Sequence, residues 1–405
     1  MEEIDKSTVY RVGGSVRDTL RGVEPNDEDY VVVNHTVEEM KELGFELVGD
    51  SFEVFIHPET GDEWALARSK NNTVDPTVGI EEDLARRDLT INAMAEDVVT
   101  GEIIDPYGGR EDLKNNTLRH VGESFATDPH RVLRVASFAS RLPEFTVAPE
   151  TATLCKNLRA EVRTIAPNRK RSELIKVFNY AEDPRRYFDT LKNFNVLDVT
   201  YPVVAELDTV PAGPIEYHKE GSTYEHTMRV LSEVNNLTPT NERIHWAALG
   251  HDMGKILTDP SDLPNHPQHT KNGRIAVNRF CNDIKLGTVR TNVMQSAARY
   301  HMYYHKASEL RESTLINMVD TLGGNNIRCD ELITLGIADG LGREPPNIRT
   351  DPSTVKEHLT AAKNVIENIG GTHILDKFDL DESDGEKISD LILQERVISL
   401  KETRN

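Results

Sequence analysis

The 405-residue chain has only three cysteines, Cys155, Cys281 and Cys329, odd in number and widely spaced. That excludes a disulfide framework, offers no cysteine-based zinc spacing and fits a reducing cytoplasm. The sequence has no apolar run long enough to span a bilayer and no amino-terminal apolar segment with a basic flank, so neither membrane insertion nor secretion is expected. Basic residues are few for the acid content: 47 Lys and Arg stand against 68 Asp and Glu, a formal net charge of −21. Because phosphate contacts are carried mainly by Lys and Arg, a nucleic-acid partner would need a local basic track rather than the bulk charge. No internal repeat or low-complexity tract is visible. What remains, with 37% hydrophobic residues, is a soluble globular chain long enough for two or three domains.

A local basic track does exist. Between Lys156 and Lys192, the residues Arg159, Arg163, Arg169, Lys170, Arg171, Lys176, Arg185 and Arg186 outnumber the acids, which reads either as an RNA track or as a solvated helix face. Up to about Asp105 the pattern is α/β. Residues 30–33 form a short apolar strand, residues 53–56 and 63–67 alternate, and residues 98–104 predict a hairpin. Helical signals begin at Asp128-Pro129, a capping Asp before a Pro at the first helical position. The Pro- and Gly-rich stretch 201–222 predicts a linker, and Glu344-Pro345-Pro346 breaks the helical run again before a polar tail with amphipathic helices near 355–369 and 388–400.

Chemistry concentrates first at Asp27 and Asp29, in Asp-Glu-Asp-Tyr-Val-Val-Val, shortly after Gly13-Gly14-Ser15-Val16-Arg17-Asp18. Residues two apart on a strand project to one side, so the two carboxylates can share divalent metal. The glycine pair lets a turn approach phosphate oxygens, and Arg17 offers a planar charged fork. Beside Pro25 and Asn26, the same acids also read as a solvated turn. In Arg86-Arg87-Asp88-Leu89-Thr90-Ile91-Asn92-Ala93, charge with little apolar anchor suggests a lined cleft, and Glu63 can complete a metal triad or take a proton from an attacking hydroxyl.

Four ordered motifs over roughly the first 175 residues then carry a family resemblance. Gly13-Gly14-x-x-Arg17-Asp18 with Asp27-x-Asp29, Glu82-Asp83-Leu84-x-Arg86-Arg87-Asp88-x-Thr90-Ile91-Asn92-Ala93, Asp105-Pro106-Tyr107, and Asp128-Pro129-x-Arg131-x-Leu133-Arg134 resemble the class II tRNA nucleotidyltransferases, the CCA-adding enzymes. The resemblance implies template-independent addition of CMP and AMP to the 3′ end of tRNA from CTP and ATP, with magnesium on Asp27 and Asp29 and with Glu63 as the third catalytic carboxylate. It places Gly13, Gly14, Arg17, Arg87, Asp88 and Asn92 at nucleotide-binding positions. Asp128, Arg131 and Arg134, three apart on one helix face, would read the base. Thr127 and Ser137 depart from the family pattern, and the loop 68–79 is shorter than in typical full CCA-adding relatives. A CC-adding enzyme or a poly(A) polymerase on the same scaffold is therefore the alternative, and a non-catalytic RNA-binding protein a more distant one.

A second constellation follows. His226, His251-Asp252 and Asp339 lie on predicted helices, with His266, His269 and His301 between the last two. Adjacent His and Asp at a helix end can both address one metal, and the distant His and Asp complete a mixed shell. The ordering, with His-Asp-Met-Gly-Lys at its centre, resembles the HD phosphohydrolase superfamily. It implies hydrolysis of 2′,3′-cyclic phosphates, 2′-nucleotides or other phosphomonoesters with magnesium, nickel or manganese. The expected architecture is α+β: a small mixed-sheet, polymerase beta-like nucleotidyltransferase head (1–125), a helical neck (126–205), an all-helical HD domain (206–345) and a helical tail (346–405), in a cytoplasmic protein.

Overall fold

The computed structural model describes residues 4–25, 27–48, 53–69, 73–239, 241–348, 350–378 and 385–404. By compactness the chain forms two units, one spanning 1–165 with 193–196 and one spanning 166–192 with 197–405.

The first unit is built on strands β1 (Val9–Val12), β2 (Asp29–Val32), β3 (Glu46–Val48), β4 (Val54–Ile56), β5 (Glu63–Leu66), β6 (Ala95–Asp97) and β7 (Ile103–Ile104). They form one sheet in the order β3-β4-β5-β2-β1-β6-β7. Every neighbouring pair is antiparallel except β2 and β5, which run parallel. A parallel return needs a crossover rather than a tight turn, and the intervening chain supplies it. Alternation along the strands fills both faces. Val31 and Val33 join Val12, Ala67, Leu84 and Ala93 on one side, while Val32, Trp64 and Leu66 join Met40, Phe45 and Phe55 on the other. The expected hairpin is present, but β6 ends at Asp97. The Asp97 Oδ1 there accepts the Val99 and Thr100 N–H groups at 2.8 and 2.9 Å and makes the following residues a turn.

Helices of this unit are α1 (Gly14–Leu20), α2 (Val37–Glu42), α3 (Ile80–Ala85), α4 (Gly109–Lys114), α5 (His130–Arg141), α6 (Pro149–Asn157) and α7 (Arg159–Val162). Helix α5 opens at His130 instead of Pro129, with the Asp128 Oδ1 accepting the His130 N–H at 3.1 Å. The ends of the short loop are joined by a bridge between Arg68 and Val74; residues 70–72 of it lie outside the described residues.

The second unit is helical: α8 (Pro167–Tyr180), α9 (Pro184–Asn193), α10 (Leu197–Thr200), α11 (Pro202–Glu206), α12 (Thr223–Leu237), α13 (Glu242–Gly250), α14 (His269–Asp283), α15 (Thr288–Tyr304), α16 (Glu312–Thr321), α17 (Cys329–Gly342), α18 (Pro352–Asn368), α19 (Gly371–Phe378) and α20 (Gly385–Arg404). A mixed sheet followed by helices is the α+β arrangement expected. Residues 201–222, however, are not a spacer. Tyr201, Val203, Val204, Leu207 and Ala212 are buried, and Pro202 stands in the first turn of α11, where its missing N–H costs nothing. The basic track is also broken. Lys170 is buried with its Nζ donating to the Val199 carbonyl at 3.3 Å, and Arg185 pairs with Asp189 and Glu225 at 2.8 and 3.0 Å, whereas Arg169 and Lys176 stay exposed. No helix among the described residues is long and apolar enough to cross a membrane.

Candidate active sites

In the first unit the parallel register sets Asp29 directly opposite Glu63. Each is the first residue of its strand, so both carboxylates stand at the exposed rim of the sheet, on the side that carries α3. Asp27 is not on the strand: β2 opens at Asp29, which pairs with Val12, and Asp27 lies in the preceding bend, next to Asn26, which is outside the described residues. It still acts on Asp29. The Asp29 carboxyl is pushed up, first by the atoms that crowd it and then by Glu63, with Arg87 pulling down and Asp27 adding to the push. Carboxylates that repel one another with so little cationic compensation suit a divalent cation.

Gly13 is central to this spot. Its φ is +73°, and a Cβ there would lie 3.0 Å from Arg87 Nη1 and 4.0 Å from Asp29 Oδ2. Only glycine meets both demands, so the turn into α1, Arg87 and Asp29 converge. Arg17 is buried: its Nη1 donates to Asn92 Oδ1 at 2.8 Å, and its Nε and Nη2 donate to Asp18 at 2.9 and 2.8 Å. Arg87 reaches Asp83 Oδ2 and the Asn92 carbonyl, each at 3.4 Å.

Behind this rim lies a polar layer. Arg131 donates to the Ser124 carbonyl at 2.8 Å and to the Arg86 carbonyl, and it feels the charges of Asp88, Asp128 and Arg134, so these four residues lie together. Phe138, unremarked in the sequence, carries the guanidinium groups of Arg17, Arg134 and Arg141 at 5.5, 5.6 and 5.5 Å from its ring centre. Neither departure from the family pattern presents a charge: Thr127 Oγ1 donates to the Ser124 carbonyl at 2.7 Å, and Ser137 is buried.

Asp88 is buried and accepts from Arg134 Nε at 2.6 Å, Leu89 N at 2.8 Å and Asn92 Nδ2 at 3.2 Å. Burial pushes its carboxyl up, but Arg134, with Asn92 and Leu89, outweighs burial and holds it at about 2. A folded carboxyl that titrates below the unfolded one contributes stability above about pH 4, and that contribution is lost as pH falls towards 2. Arg134→Met is therefore expected to cost about 3 kcal/mol at pH 7 and markedly less at pH 3, read by urea unfolding at both pH values. An equal loss at both would show that packing, not the ion pair, is what Arg134 supplies.

In the second unit, six predicted ligands come together. Among the described residues, every group of three or more His, Cys, Asp or Glu with ligand atoms all within 4.8 Å of one another lies in this unit: His226, His251 and Asp339; Asp252, His269 and His301; and His218, Glu220 and His226. Asp252 joins the first two groups. Its Oδ2 lies 3.2 Å from His251 Nε2 and 3.8 Å from His226 Nε2, and its Oδ1 lies 3.4 Å from His301 Nε2 and 3.8 Å from His269 Nε2. Close packing of Gly254 makes this possible. A Cβ there would sit 2.0 Å from the His269 carbonyl oxygen, so the turn after α13 lies directly against the start of α14.

The same device orients three rings. His251 Nδ1 is 2.7 Å from the Ala248 carbonyl, His269 Nδ1 2.7 Å from the His266 carbonyl, and His301 Nδ1 3.2 Å from the Ala297 and Ala298 carbonyls. A carbonyl only accepts, so each Nδ1 carries the proton and each Nε2 presents a lone pair. His269 Nε2 and His301 Nε2 thus face each other at 3.3 Å as two acceptors. Burial holds His269 down at about 4 and lowers His301 as well, so neither ring gains a proton to relieve the contact at neutral pH. A shared cation relieves it, and with two buried carboxylates at hand the donor set fits a divalent metal.

Burial pushes Asp252 up, but the ammonium of Lys255 leads the groups that hold it well below the usual carboxylate range; His226, His305 and Arg343 do the same for buried Asp339. His266 does not belong to the cluster. Its Nε2 lies on the Pro211 carbonyl and its Nδ1 on Thr258 Oγ1, both at 2.8 Å, so both ring nitrogens are already occupied. Sequence reasoning missed several neighbours. Lys255 Nζ donates to Asp252 Oδ2 at 2.7 Å, His305 Nε2 lies 2.6 Å from Asp339 Oδ2, and Arg343 Nη2 lies 3.0 Å from the same oxygen. His305 and Arg343 each stand four residues after a predicted ligand on the same helical turn pattern, a signal that could have found them. Glu220, 3.1 Å from His226 Nδ1 and 2.7 Å from His218 Nδ1, comes from a loop and had none.

The chain matches the Poly A polymerase head domain over residues 9–119, the probable RNA and SrmB-binding site of polymerase A over 144–207, and the HD domain over 223–344. It is 39% identical over 354 residues to the multifunctional CCA protein of Mannheimia succiniciproducens, covering 82% of this chain and 84% of that one. It is 41% identical over 329 residues to the protein of the same name from Methylococcus capsulatus, covering 78% and 76%. The chain belongs to the multifunctional CCA protein family. Among solved structures, the Thermotoga maritima CCA-adding enzyme complexed with tRNA aligns with a TM-score of 0.64 at 22% identity, covering 97% of this chain and 86% of that one. A CCA-adding enzyme with ATP aligns at 0.62 and 23%, covering 96% and 85%. These likenesses show that this member of the family has the fold of the CCA-adding enzymes.

Proposed function

We propose that the protein adds CMP, CMP and AMP, from CTP and ATP, to the 3′ end of tRNA in its first unit, and hydrolyses phosphoesters in its second. The Asp29–Glu63 register beside Gly13 and Arg87 carries the first half of this reading. Asp27, Asp29 and Glu63 are the residues that would hold magnesium, which when bound neutralises triphosphate charge and makes the 3′ hydroxyl a better nucleophile. The hydroxyl oxygen bonds the α-phosphorus and pyrophosphate leaves. Gly13 and Gly14 let main chain approach the phosphates, Arg17 and Asn92 brace that turn, and Arg87 stands at its open side. Asp128, Arg131 and Arg134, with Asp88 behind them, read the base. Residues 1–125 form the catalytic head and 126–205 a neck that contacts tRNA.

In residues 206–345, His226, His251, Asp252 and Asp339, extended by His269 and His301, would hold magnesium, nickel or manganese, which when bound activates water. The substrates proposed are 2′,3′-cyclic phosphates and 2′-nucleotides, in a cytoplasmic enzyme. The test offers tRNA transcripts ending before CCA, at C and at CC to the protein with each nucleotide separately. Expected are CMP on the first two and one AMP on the third. Repeated AMP addition would make it a poly(A) polymerase, absence of AMP a CC-adding enzyme, and failure to incorporate any nucleotide would overturn the reading.

A further inference from the structure

Two cavities of the second unit meet at Arg343 and Met302. One, of about 220 Å³, is lined by His226, Asp252, His301 and Asp339. It is smaller than the roughly 300–1,000 Å³ of sites that enclose a small organic ligand, so it suits a phosphoryl group and little more. The other, of about 500 Å³, falls within that range and is lined by His305, Lys306, Ser308, Thr350 and Thr354 together with the carboxylates Glu309 and Asp351.

Arg343 at the junction is 9% exposed. Its Nη2 donates to Asp339 Oδ2, yet its Nε is buried without a partner, and so is Nδ1 of His305, whose Nε2 is already on Asp339. Buried donors and acceptors left unpaired are disfavoured, and a ligand bridging the two cavities would pair them. The hydroxyls and carboxylates of the larger cavity suit the hydroxyl and amino groups of a nucleoside, and Lys306 balances part of the charge of Glu309 and Asp351.

We propose that this is a two-part substrate site, in which Arg343 anchors the phosphoryl group at the metal-ligand cluster and the cavity beyond it receives the nucleoside that leaves. The proposal rests on the hydrolase reading and deepens it by giving the nucleoside part of the substrate its own place beside the metal-ligand cluster. In the reaction, water oxygen forms the new bond to phosphorus, the ester P–O bond breaks, and the proton lost by water ends on the leaving nucleoside oxygen.

The full chain with manganese is assayed on adenosine 2′-phosphate, with adenosine and inorganic phosphate as inhibitors. The two inhibitors are expected to bind together rather than exclude each other. Thr354→Trp, which narrows the larger cavity, is expected to raise the adenosine inhibition constant and the KM about tenfold while phosphate inhibition stays within about twofold. Arg343→Lys is expected to weaken phosphate about tenfold and adenosine little. Mutual exclusion of the two inhibitors, or an unchanged adenosine constant in Thr354→Trp and in Ser308→Trp as a second variant, would overturn the proposal. A wild-type protein that releases no phosphate would overturn the hydrolase reading instead, and adenosine binding by equilibrium dialysis, weakened or not by Thr354→Trp, would then judge the larger cavity alone.

Discussion

Asp29→Asn is expected to lower nucleotide addition by on the order of a thousandfold, because a lost metal ligand removes several kcal/mol of transition-state stabilisation. Stability should stay the same or rise. The Asp29 carboxyl is crowded and repelled by Glu63 and Asp27, with Arg87 only partly offsetting them, so the charge opposes folding when no cation is bound. The two effects therefore run in opposite directions, which separates a catalytic carboxylate from a structural one. Single-nucleotide addition to a tRNA transcript reads the first, and thermal unfolding with and without magnesium reads the second. Magnesium should raise the melting temperature of the wild type through this site more than that of the variant. A variant that adds nucleotides at a near-normal rate would remove Asp29 from the reaction, and hydrolysis at the other unit should be untouched.

Asp252→Asn is expected to abolish hydrolysis and, unlike Asp29→Asn, to destabilise. Asp252 stands between four histidine Nε2 atoms at 3.2 to 3.8 Å and accepts from Lys255 Nζ at 2.7 Å. Without its charge, Lys255, a buried ammonium that also donates to the Ala212 carbonyl at 2.7 Å, is left facing neutral oxygens. Removing one member of a buried pair costs about 3–5 kcal/mol, chiefly through the charge left behind. Adding Lys255→Met to Asp252→Asn should thus recover most of the stability and none of the hydrolysis, while nucleotide addition persists throughout. Urea unfolding of the single and double variants measures the first, and phosphate release from adenosine 2′-phosphate the second. Hydrolysis surviving in Asp252→Asn would exclude the cluster as the hydrolytic centre.

Much of the chemistry could be located before any fold was known, because it depends on local order. Gly13-Gly14, Arg17, the Arg86-to-Asn92 segment and the Asp128-to-Arg134 stripe each carry their meaning in short spacing, and α5 does place Arg131 and Arg134 together with Asp128 and Asp88. Short range also misleads. Asp27 and Asp29 are two residues apart in a strand-like sequence, yet hydrogen bonding to β1 starts only at Asp29, so Asp27 falls in a bend. The stretch 201–222 has the composition of a linker, but Tyr201, Val203, Val204, Leu207 and Ala212 are buried, and α11 lies against α14 far along the chain.

The sequence by itself determined the α+β order of elements, the residue types at both sites, and the faces on which strand and helix residues lie, since these follow from periodicities of two and 3.6. Tertiary structure alone decided which of them meet. The parallel β2–β5 register, which opposes Asp29 to Glu63, depends on a crossover whose path no local pattern specifies. The division of the histidines about Asp252 depends on how closely α14 lies on the turn at Gly254, and the same packing sends His266 to Pro211 and Thr258 instead. Glu220, His305 and Arg343 entered for the same reason: buried polar groups must find partners in three dimensions, and those partners are chosen by the packing of distant segments.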